Sequence, residues 1–183
     1  MTDKPRTMAG DPSLAQVVER IIRVDQAGEY GAVRIYQGQR AVLGGSPRIG
    51  GALREMERQE QDHLAKFNEL MSERRVRPTL LQPLWHVLGF ALGAGTALLG
   101  EKAAMACTVA VEEAIDEHYA SQAAQLGDEE PELLAVVQEF RDHELAHRDL
   151  ALAQGAEAAP GYPLLHAVIK NGSRLAIWLS QRI

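Results

Sequence analysis

Two Glu-x-x-His pairs carry the clearest chemistry in this sequence. Glu60 with His63 and Glu144 with His147 each lie in helix-forming sequence. Residues three positions apart project from the same face of a helix, so one metal ion can take a carboxylate oxygen and an imidazole nitrogen from a single helix. Each pair therefore predicts half of a metal site.

A single glutamate precedes each pair by about one helical hairpin. Glu29 stands before the first pair and Glu112 before the second, at nearly the same spacing, so the arrangement is an approximate internal repeat. Composition alone explains one Glu-x-x-His pair more easily than a repeat of the whole pattern. Two such pairs and two single glutamates are the ligand set of di-iron or di-manganese carboxylate proteins. The predicted metal ligands are Glu29, Glu60, His63, Glu112, Glu144 and His147.

Helical register indicates that these six residues face a core. The positions three, four and seven residues away from them are mostly apolar, as on the buried face of a helix. They include Ile22, Val33, Tyr36, Leu53, Met56, Phe67, Met105, Val109, Ile115, Tyr119, Val137 and Phe140. A solvated face of charges, the plain alternative, would lack this apolar stripe. A buried carboxylate must be paired or bound to a metal to offset its desolvation.

Gly and Pro breaks divide the chain into helices that would position these residues. The sequence predicts an all-α, ferritin-like four-helix bundle with an apolar crossover helix at 78–95 and a C-terminal helix. Helices are expected over residues 13–43, 49–75, 96–126, 131–154 and 164–182. We expect one domain over 13–183, after a flexible N-terminus at 1–12. The internal repeat comprises 13–75 and 96–154.

Composition excludes several classes of function. The formal net charge of -6 provides no basic surface for nucleic acid, so no nucleic-acid partner is expected. The single cysteine, Cys107, rules out an internal disulfide framework and a cysteine-rich metal site, and we expect it to be a buried apolar filler. The N-terminus has neither the apolar core of a secretion signal nor an Arg-rich presequence, which is typical of a bacterial cytosolic protein.

The crossover is the most apolar part of the chain, because residues 78–100 contain no Asp, Glu, Lys or Arg. We expect this helix to lie in a membrane interface with Trp85 at the headgroup level, and Leu88 and Leu92 on its lipid-facing side. Two alternatives remain: a helix covered by the protein or by a partner, and a transmembrane helix. The glycines and Pro83 argue against a span.

Three further carboxylates fall near the ligand face, and each is expected either to hold the far nitrogen of a ligand histidine or to form a simple salt bridge. They are Asp25, Glu57 and Asp116. Three other histidines are expected to be polar surface residues and not ligands. They are His86, His143 and His166.

The chain resembles the demethoxyubiquinone hydroxylases of ubiquinone biosynthesis, from Arg20 to Arg182. The resemblance rests on five stretches: residues 23–32, 59–64, 84–100, 107–113 and 140–147. Carried over position by position, the family's iron ligands match all six residues named above. Glu113 is adjacent to Glu112 but points about 100° away on a helix and is not an expected ligand.

The resemblance implies a monooxygenase with two iron ions that uses dioxygen to hydroxylate the ring of a polyprenyl demethoxyubiquinol. It also implies NADH as an electron donor, a peripheral place on the cytoplasmic side of a bacterial cell membrane, and a lipid-binding partner protein of ubiquinone biosynthesis. Further candidates for a catalytic role, as participants in electron supply, are Tyr119, His118, Arg20 and Arg174. Trp178 stands where relatives carry Tyr, which argues against a scheme that needs a phenol there.

Two other functions fit parts of the sequence. A rubrerythrin-like peroxide-reducing protein would normally add a Cys-x-x-Cys domain, and a storage ferritin has no use for an apolar crossover. A non-catalytic lipid-binding scaffold would keep the crossover but would need no inward-facing ligands. Iron content separates these functions, because a scaffold would bind none.

Overall fold

All regular structure in residues 11–183, which the computed structural model describes, is helical. The predicted all-α, ferritin-like fold is confirmed. The prediction of a flexible N-terminus concerns residues 1–12, of which 1–10 lie outside the described part. The helices are α1 (Leu14–Leu43), α2 (Gly50–Arg74), α3 (Gln82–Leu98), α4 (Glu101–Leu126), α5 (Pro131–Ala153) and α6 (Tyr162–Ser180), with a 3-10 turn at Ala156–Ala158 between α5 and α6.

Local sequence explains where these helices begin and end. Ser13 forms a capping box with Gln16, so α1 begins where the sequence predicts. Gly100 adopts a φ of 112° and separates α3 from α4, whereas the sequence predicted a helix that begins at Thr96. The break between the two helices falls at Gly100, because only glycine adopts this backbone conformation readily. Thr96 therefore lies in the last turn of α3.

Helices α1, α2, α4 and α5 form the four-helix bundle. Residues near the start of α1 contact residues near the end of α4, and the reverse holds at the other end, so these two helices are antiparallel. Helices α2 and α5 are antiparallel in the same way. They lie on one side of the α1/α4 pair, and α3 and α6 lie on the other side.

The internal repeat contains three helices in each half. Helix α3 runs parallel to α1, with the Arg34 guanidinium 4.9 Å from the centroid of the Phe90 ring. Helix α6 runs parallel to α4 and is held by a hydrogen bond of 2.6 Å from Lys170 Nζ to Glu113. The crossover and the last helix, which the sequence analysis treated as unrelated, therefore occupy equivalent positions.

Helices α3 and α6 form one outer face together. They are antiparallel, and Trp85 Nε1 donates a hydrogen bond of 3.0 Å to Ser180 Oγ where they meet. The exposed apolar residues of this face, called the α3/α6 face below, are Leu84, Val87, Leu88, Leu164, Val168, Leu175 and Trp178. Leu92, predicted to face outward, is only partly exposed, because it packs with Ile35 and Val111 in the core. Within residues 11–183, no helix is both long enough and apolar enough to span a membrane.

The contact between α3 and α1 is unusually close at Gly93. A Cβ added there would lie 1.9 Å from the carbonyl oxygen of Ile35, which no real packing allows. A Cβ added at Gly95, two positions further along the same helix, would meet no atom within 4 Å. The two glycines therefore differ in their surroundings and not in their helix.

Gly93→Ala is expected to destabilise the fold by about 1–3 kcal/mol, because α3 must move away from α1 to make room for the methyl group. Gly95→Ala is the matched control and should be neutral or stabilising by up to about 1 kcal/mol, because alanine favours helix. Urea unfolding followed by circular dichroism measures both. Equal midpoints for the two variants would contradict the close contact.

Two apolar clusters close the bundle at its two ends. One contains Ile22, Phe67 and Val137, and the other contains Leu53 and Met105. The six predicted ligands lie at the level between them. The clusters thus keep the middle of the bundle away from water, so that any polar group placed there must find its partners inside.

Candidate metal centre

The six predicted ligands converge in the middle of the bundle. Their donor atoms form two overlapping groups of four, and within each group all atoms lie within 4.8 Å of one another. The first group is Glu29, Glu60, His63 and Glu144, and the second is Glu60, Glu112, Glu144 and His147. Glu60 and Glu144 belong to both groups. The arrangement suits two ions that share two carboxylates, each with one glutamate and one histidine of its own.

Glu144 illustrates how one carboxylate serves both groups. Its Oε1 lies 3.2 Å from His63 Nδ1, and its Oε2 lies 3.3 Å from His147 Nδ1. Glu60 Oε1 lies 3.1 Å from His147 Nδ1, and Glu29 Oε2 lies 3.4 Å from His63 Nδ1. Both histidines thus present Nδ1 to the carboxylates.

Buried atoms without partners are the evidence that these residues fit metal ions. All six residues are at most 3 % exposed. Neither oxygen of Glu60 or Glu144 forms a hydrogen bond, and the same is true of both Nδ1 atoms and of the Oε2 atoms of the two single glutamates. Buried charges cost several kcal/mol each unless they are compensated. Two divalent cations would neutralise the four carboxylates.

The far nitrogens of the two histidines are held by Gln59 and His143. His147 Nε2 donates to Gln59 Oε1 at 2.6 Å, and His63 Nε2 lies 3.0 Å from His143 Nδ1. These contacts fix the orientation of both rings, as is usual for imidazoles that bind a metal. His143 was predicted to be a polar surface residue. It is half-buried against His63 instead.

None of the three carboxylates considered for this role contacts a ligand histidine, and the alternative of a simple salt bridge is confirmed for Glu57 and Asp116. Asp25 accepts from Gln122, Glu57 from Arg40, and Asp116 from Arg141. The sequence placed them correctly near the ligand helices. A helical register could not show which residue of a neighbouring helix each of them meets, since that depends on how α1, α2, α4 and α5 pack against one another.

Two buried tyrosines hold the single glutamates. The Tyr36 hydroxyl donates to Glu112 Oε1 at 2.6 Å, and the Tyr119 hydroxyl donates to Glu29 Oε1. The pKa of each tyrosine is raised well above its usual value, first by burial and then by the neighbouring carboxylates. Both phenols are therefore neutral hydrogen-bond donors.

The other candidates lie away from the ligand cluster. His118 contacts Asp25 and Gln122, and Arg20 donates to Gln125. Arg174 pairs with Glu117 on the outer side of α4. Of the residues proposed for a further catalytic role, Tyr119 is the one whose side chain reaches a predicted ligand.

Glu113, Cys107 and His86 follow their predictions, whereas His166, predicted to be a polar surface residue, is half-buried against Glu113. Glu113 points away from the cluster toward His166 and Lys170 on α6. Cys107 is fully buried in the core, and burial raises the pKa of its thiol to about 12. His86 is exposed and is bonded to Tyr30.

Without metal, burial and mutual contacts favour bound protons on three of the six residues, whereas, despite its burial, contacts with the two ligand histidines lower the pKa of Glu144 to about 2. The pKa values of Glu60 and Glu112 are raised well above their usual value, first by burial and then by neighbouring carboxylates. Burial lowers the pKa of His63, but contacts with Glu144 and Glu29 outweigh it and raise the value to about 10. Metal binding must therefore displace protons from these groups.

The metal-free protein is expected to lose stability as the pH rises from 6.5 to 10. A group whose pKa is higher in the folded protein stabilises the fold below its unfolded pKa, and this contribution disappears as the pH passes the folded value. For His63 the loss runs from 6.5 to about 10, and the raised pKa values of Glu60 and Glu112 act in the same direction. Thermal unfolding of chelator-treated protein measures it, and a midpoint that rises with pH over this range would contradict it.

Three residues of the centre were not recognised from the sequence: Gln59, His143 and Tyr36. Gln59 and His143 each precede a ligand by one position, and nothing in their spacing marks their partners on another helix. Tyr36 had a signal, because it stands seven residues after Glu29 as Tyr119 stands seven after Glu112. The internal repeat could have identified it.

Comparison with models of known protein families gives a match over most of this chain. The family model for ubiquinone biosynthesis protein COQ7 matches residues 16–180. The chain belongs to the COQ7 family. The resemblance stated from the sequence is thereby confirmed, and the positions of the six predicted ligands lie within the matched range.

Individual members of the family are similar over most of the chain. The 3-demethoxyubiquinol 3-hydroxylase of Rhodospirillum rubrum is 61% identical over 176 residues, which cover 96% of this chain and 83% of the relative. The human NADPH-dependent 3-demethoxyubiquinone 3-hydroxylase, named as mitochondrial, is 59% identical over 170 residues, or 91% and 78% of the two chains. The mitochondrial 5-demethoxyubiquinone hydroxylase of Saccharomyces cerevisiae is 43% identical over 185 residues, or 92% and 79%.

Proposed function

We propose that this COQ7-family chain is a di-iron monooxygenase that hydroxylates the ring of a demethoxyubiquinol with dioxygen in ubiquinone biosynthesis. The observation that carries the proposal is the pair of overlapping donor groups, which share Glu60 and Glu144 in the middle of the bundle. The names of the relatives indicate the reaction, which is a hydroxylation. The donor set fits a redox-active metal pair.

Two iron ions bound here would supply the activation of dioxygen. Glu60 and Glu144 would hold the ions next to each other, and Glu29 and Glu112 would each complete one of the two coordination sets. The apolar clusters on both sides exclude water, which strengthens electrostatic interactions within the centre and protects reactive species. The chain thus provides four carboxylates, two imidazoles and a dry enclosure.

Open space at two glycines close to Glu29 in the sequence supports a route for the quinol ring. A Cβ added at Gly28 or Gly31 would meet no atom within 4 Å. A pocket of about 500 Å³ lies near the start of α3, between α1 and the exposed Leu80. We propose that the ring approaches the centre along this side of α1, while the polyprenyl tail stays at the α3/α6 face.

The alternative functions have less support. A peroxide-reducing protein or a ferritin would not require the apolar α3/α6 face, and a lipid-binding scaffold would not require six buried donor groups. The relatives that match this chain are named as hydroxylases.

Product analysis tests the proposed reaction. Iron-loaded protein is incubated with a short-tailed demethoxyubiquinol, a reduced nicotinamide nucleotide and labelled dioxygen, and the quinol is analysed by mass spectrometry. We expect one labelled oxygen in the ring. NADH and NADPH are compared as donors, because NADH was expected from the sequence whereas the name of the human relative specifies NADPH. Consumption of peroxide without ring hydroxylation would favour the rubrerythrin-like alternative.

We further propose that the α3/α6 face binds the cytoplasmic surface of a bacterial cell membrane, where a lipid-binding partner protein of the same pathway would deliver or receive the quinol. Leu88 and Val168 are 49% and 62% exposed on the two helices. Exposed apolar patches of this kind mark membrane or protein contacts. The long-tailed substrate would then reach the centre without leaving the lipid.

Leu88→Glu combined with Val168→Glu is expected to release the protein from phosphatidylcholine vesicles, because each charge in hydrocarbon costs up to about 2.5–3.5 kcal/mol. Activity on a short-tailed, water-soluble quinol should persist, since neither residue contacts the centre. The matched control is Ala65→Glu with Ala135→Glu, which adds the same charge on the exposed side of α2 and α5. Co-sedimentation measures binding, and equal binding of both double variants would rule out this face.

A further inference from the structure

The two buried tyrosines of the centre are related by the internal repeat. Tyr36 stands two helical turns after Glu29, and Tyr119 stands two turns after Glu112. Because α1 and α4 are antiparallel, each tyrosine lies opposite the glutamate of the other helix. The result is a reciprocal pair of hydrogen bonds, from Tyr36 to Glu112 and from Tyr119 to Glu29.

These bonds have a defined effect on the two single glutamates. In each of them Oε1 accepts the phenol, and Oε2 has no hydrogen-bond partner. The tyrosine rings are 2% and 1% exposed, so neither phenol can turn toward water. A carboxylate with one oxygen held in this way keeps its other oxygen for a metal and cannot rotate freely to offer both.

We propose that Tyr36 and Tyr119 are a matched pair of positioning residues, which hold Glu112 and Glu29 so that each offers a single oxygen to its metal ion. The inference rests on the proposed metal centre. It gives Tyr119 the same role as Tyr36, in place of a separate role in electron supply. The symmetry of the two contacts carries this conclusion, because the repeat places both phenols alike.

The test compares Tyr36→Phe and Tyr119→Phe, which preserve the ring and remove only the hydroxyl. Tyr30→Phe is the matched control, because Tyr30 lies on α1 next to Glu29 and its hydroxyl contacts His86, not a predicted ligand. Circular dichroism first establishes that each variant is folded. Anaerobic titration with Fe(II) against a competing chelator then gives the affinity, and magnetic circular dichroism of the diferrous protein reports the coordination of the ions.

Both single variants are expected to weaken Fe(II) binding by about 10- to 100-fold, the usual effect of removing a hydrogen bond to a ligand. The two losses should be similar, both spectra should change, and Tyr30→Phe should match the wild type in affinity and spectrum.

Tyr119→Phe with wild-type affinity and spectrum but without hydroxylation would overturn the pair, because it would assign Tyr119 to electron supply. Tyr36→Phe with wild-type affinity and spectrum would overturn it as well. The wild-type titration separates these results from a failure of the proposed centre. If the wild type binds no iron, both the proposed metal centre and the proposed tyrosine pair are refuted. If the wild type binds iron and both variants are unchanged, only the tyrosine pair is refuted.

Discussion

Glu60→Ala is expected to abolish hydroxylation and to reduce iron well below two ions per chain. Glu60 belongs to both donor groups, so its loss removes a carboxylate from each ion at once. Neither oxygen forms a hydrogen bond. Removal of the side chain takes one carboxylate from His147 Nδ1, which keeps Glu144 Oε2 at 3.3 Å. The helical fold should survive, because one fewer buried acidic group then has to be compensated in the middle of the bundle.

Glu57→Ala is the matched control for this prediction. Glu57 is also a buried glutamate of α2, one turn earlier, but it pairs with Arg40 at 2.5 Å and lies outside both donor groups. The control should retain iron and turnover with at most a modest loss of stability. Iron analysis after identical purification and far-ultraviolet circular dichroism are measured for both variants. Two irons per chain in Glu60→Ala would refute the shared carboxylate.

The sequence predicted the helices and the inward direction of the ligands because both follow from local rules. Periodicity places Glu60 and His63 on one apolar stripe, and the repeat supplies the second half of the pattern. Helix ends were predicted where a cap or a breaker stands, as at Ser13. The predicted start of α4 was wrong by a few residues, because nothing local distinguishes Gly100 from the other glycines of the crossover.

Contacts between helices do not follow from periodicity and caps, which are local features of one helix. The partners of the ligand histidines proved to be Gln59 and His143, and the charged residues Asp25, Glu57 and Asp116 proved to have other partners. A carboxylate near a histidine in helical register is a plausible partner only if the helices pack with the correct rotation. Likewise Leu92 was assigned to the outer face, because a helix apolar on all sides does not show which side packs.

The equivalent positions of α3 and α6 could not be predicted either, because they too depend on contacts between helices. Their sequences differ in charge, since α3 has none between residues 82 and 98, whereas α6 carries Lys170 and Arg174 on its inner side. Helix α3 is held by the close contact at Gly93, and α6 is held by ion pairs to Glu113 and Glu117. Different chemistry therefore produces the same packing, which a comparison of residue types does not reveal.

The neighbouring glutamates of α4 give the second prediction, because they test which face of this helix meets the metals. Glu112 is 1% exposed within the donor group, and Glu113 contacts Lys170 and His166 on α6. Glu112→Gln keeps the volume and an acceptor for Tyr36 but removes the charge. We expect a loss of Fe(II) affinity of at least about 10- to 100-fold, since even residues behind the ligands have effects of that size.

Glu113→Gln should leave iron and turnover intact and act only on α6. It removes the acceptor charge of an ion pair at the surface, and such pairs contribute up to about 1 kcal/mol. Its unfolding midpoint should fall slightly at low salt, and the difference from the wild type should shrink at high salt, because salt screens exposed charges. The two variants thus differ in opposite readouts: Glu112→Gln loses iron with its fold intact, and Glu113→Gln loses stability with its iron intact. Equal iron losses, or a larger loss for Glu113→Gln, would show that α4 is rotated relative to the structure described.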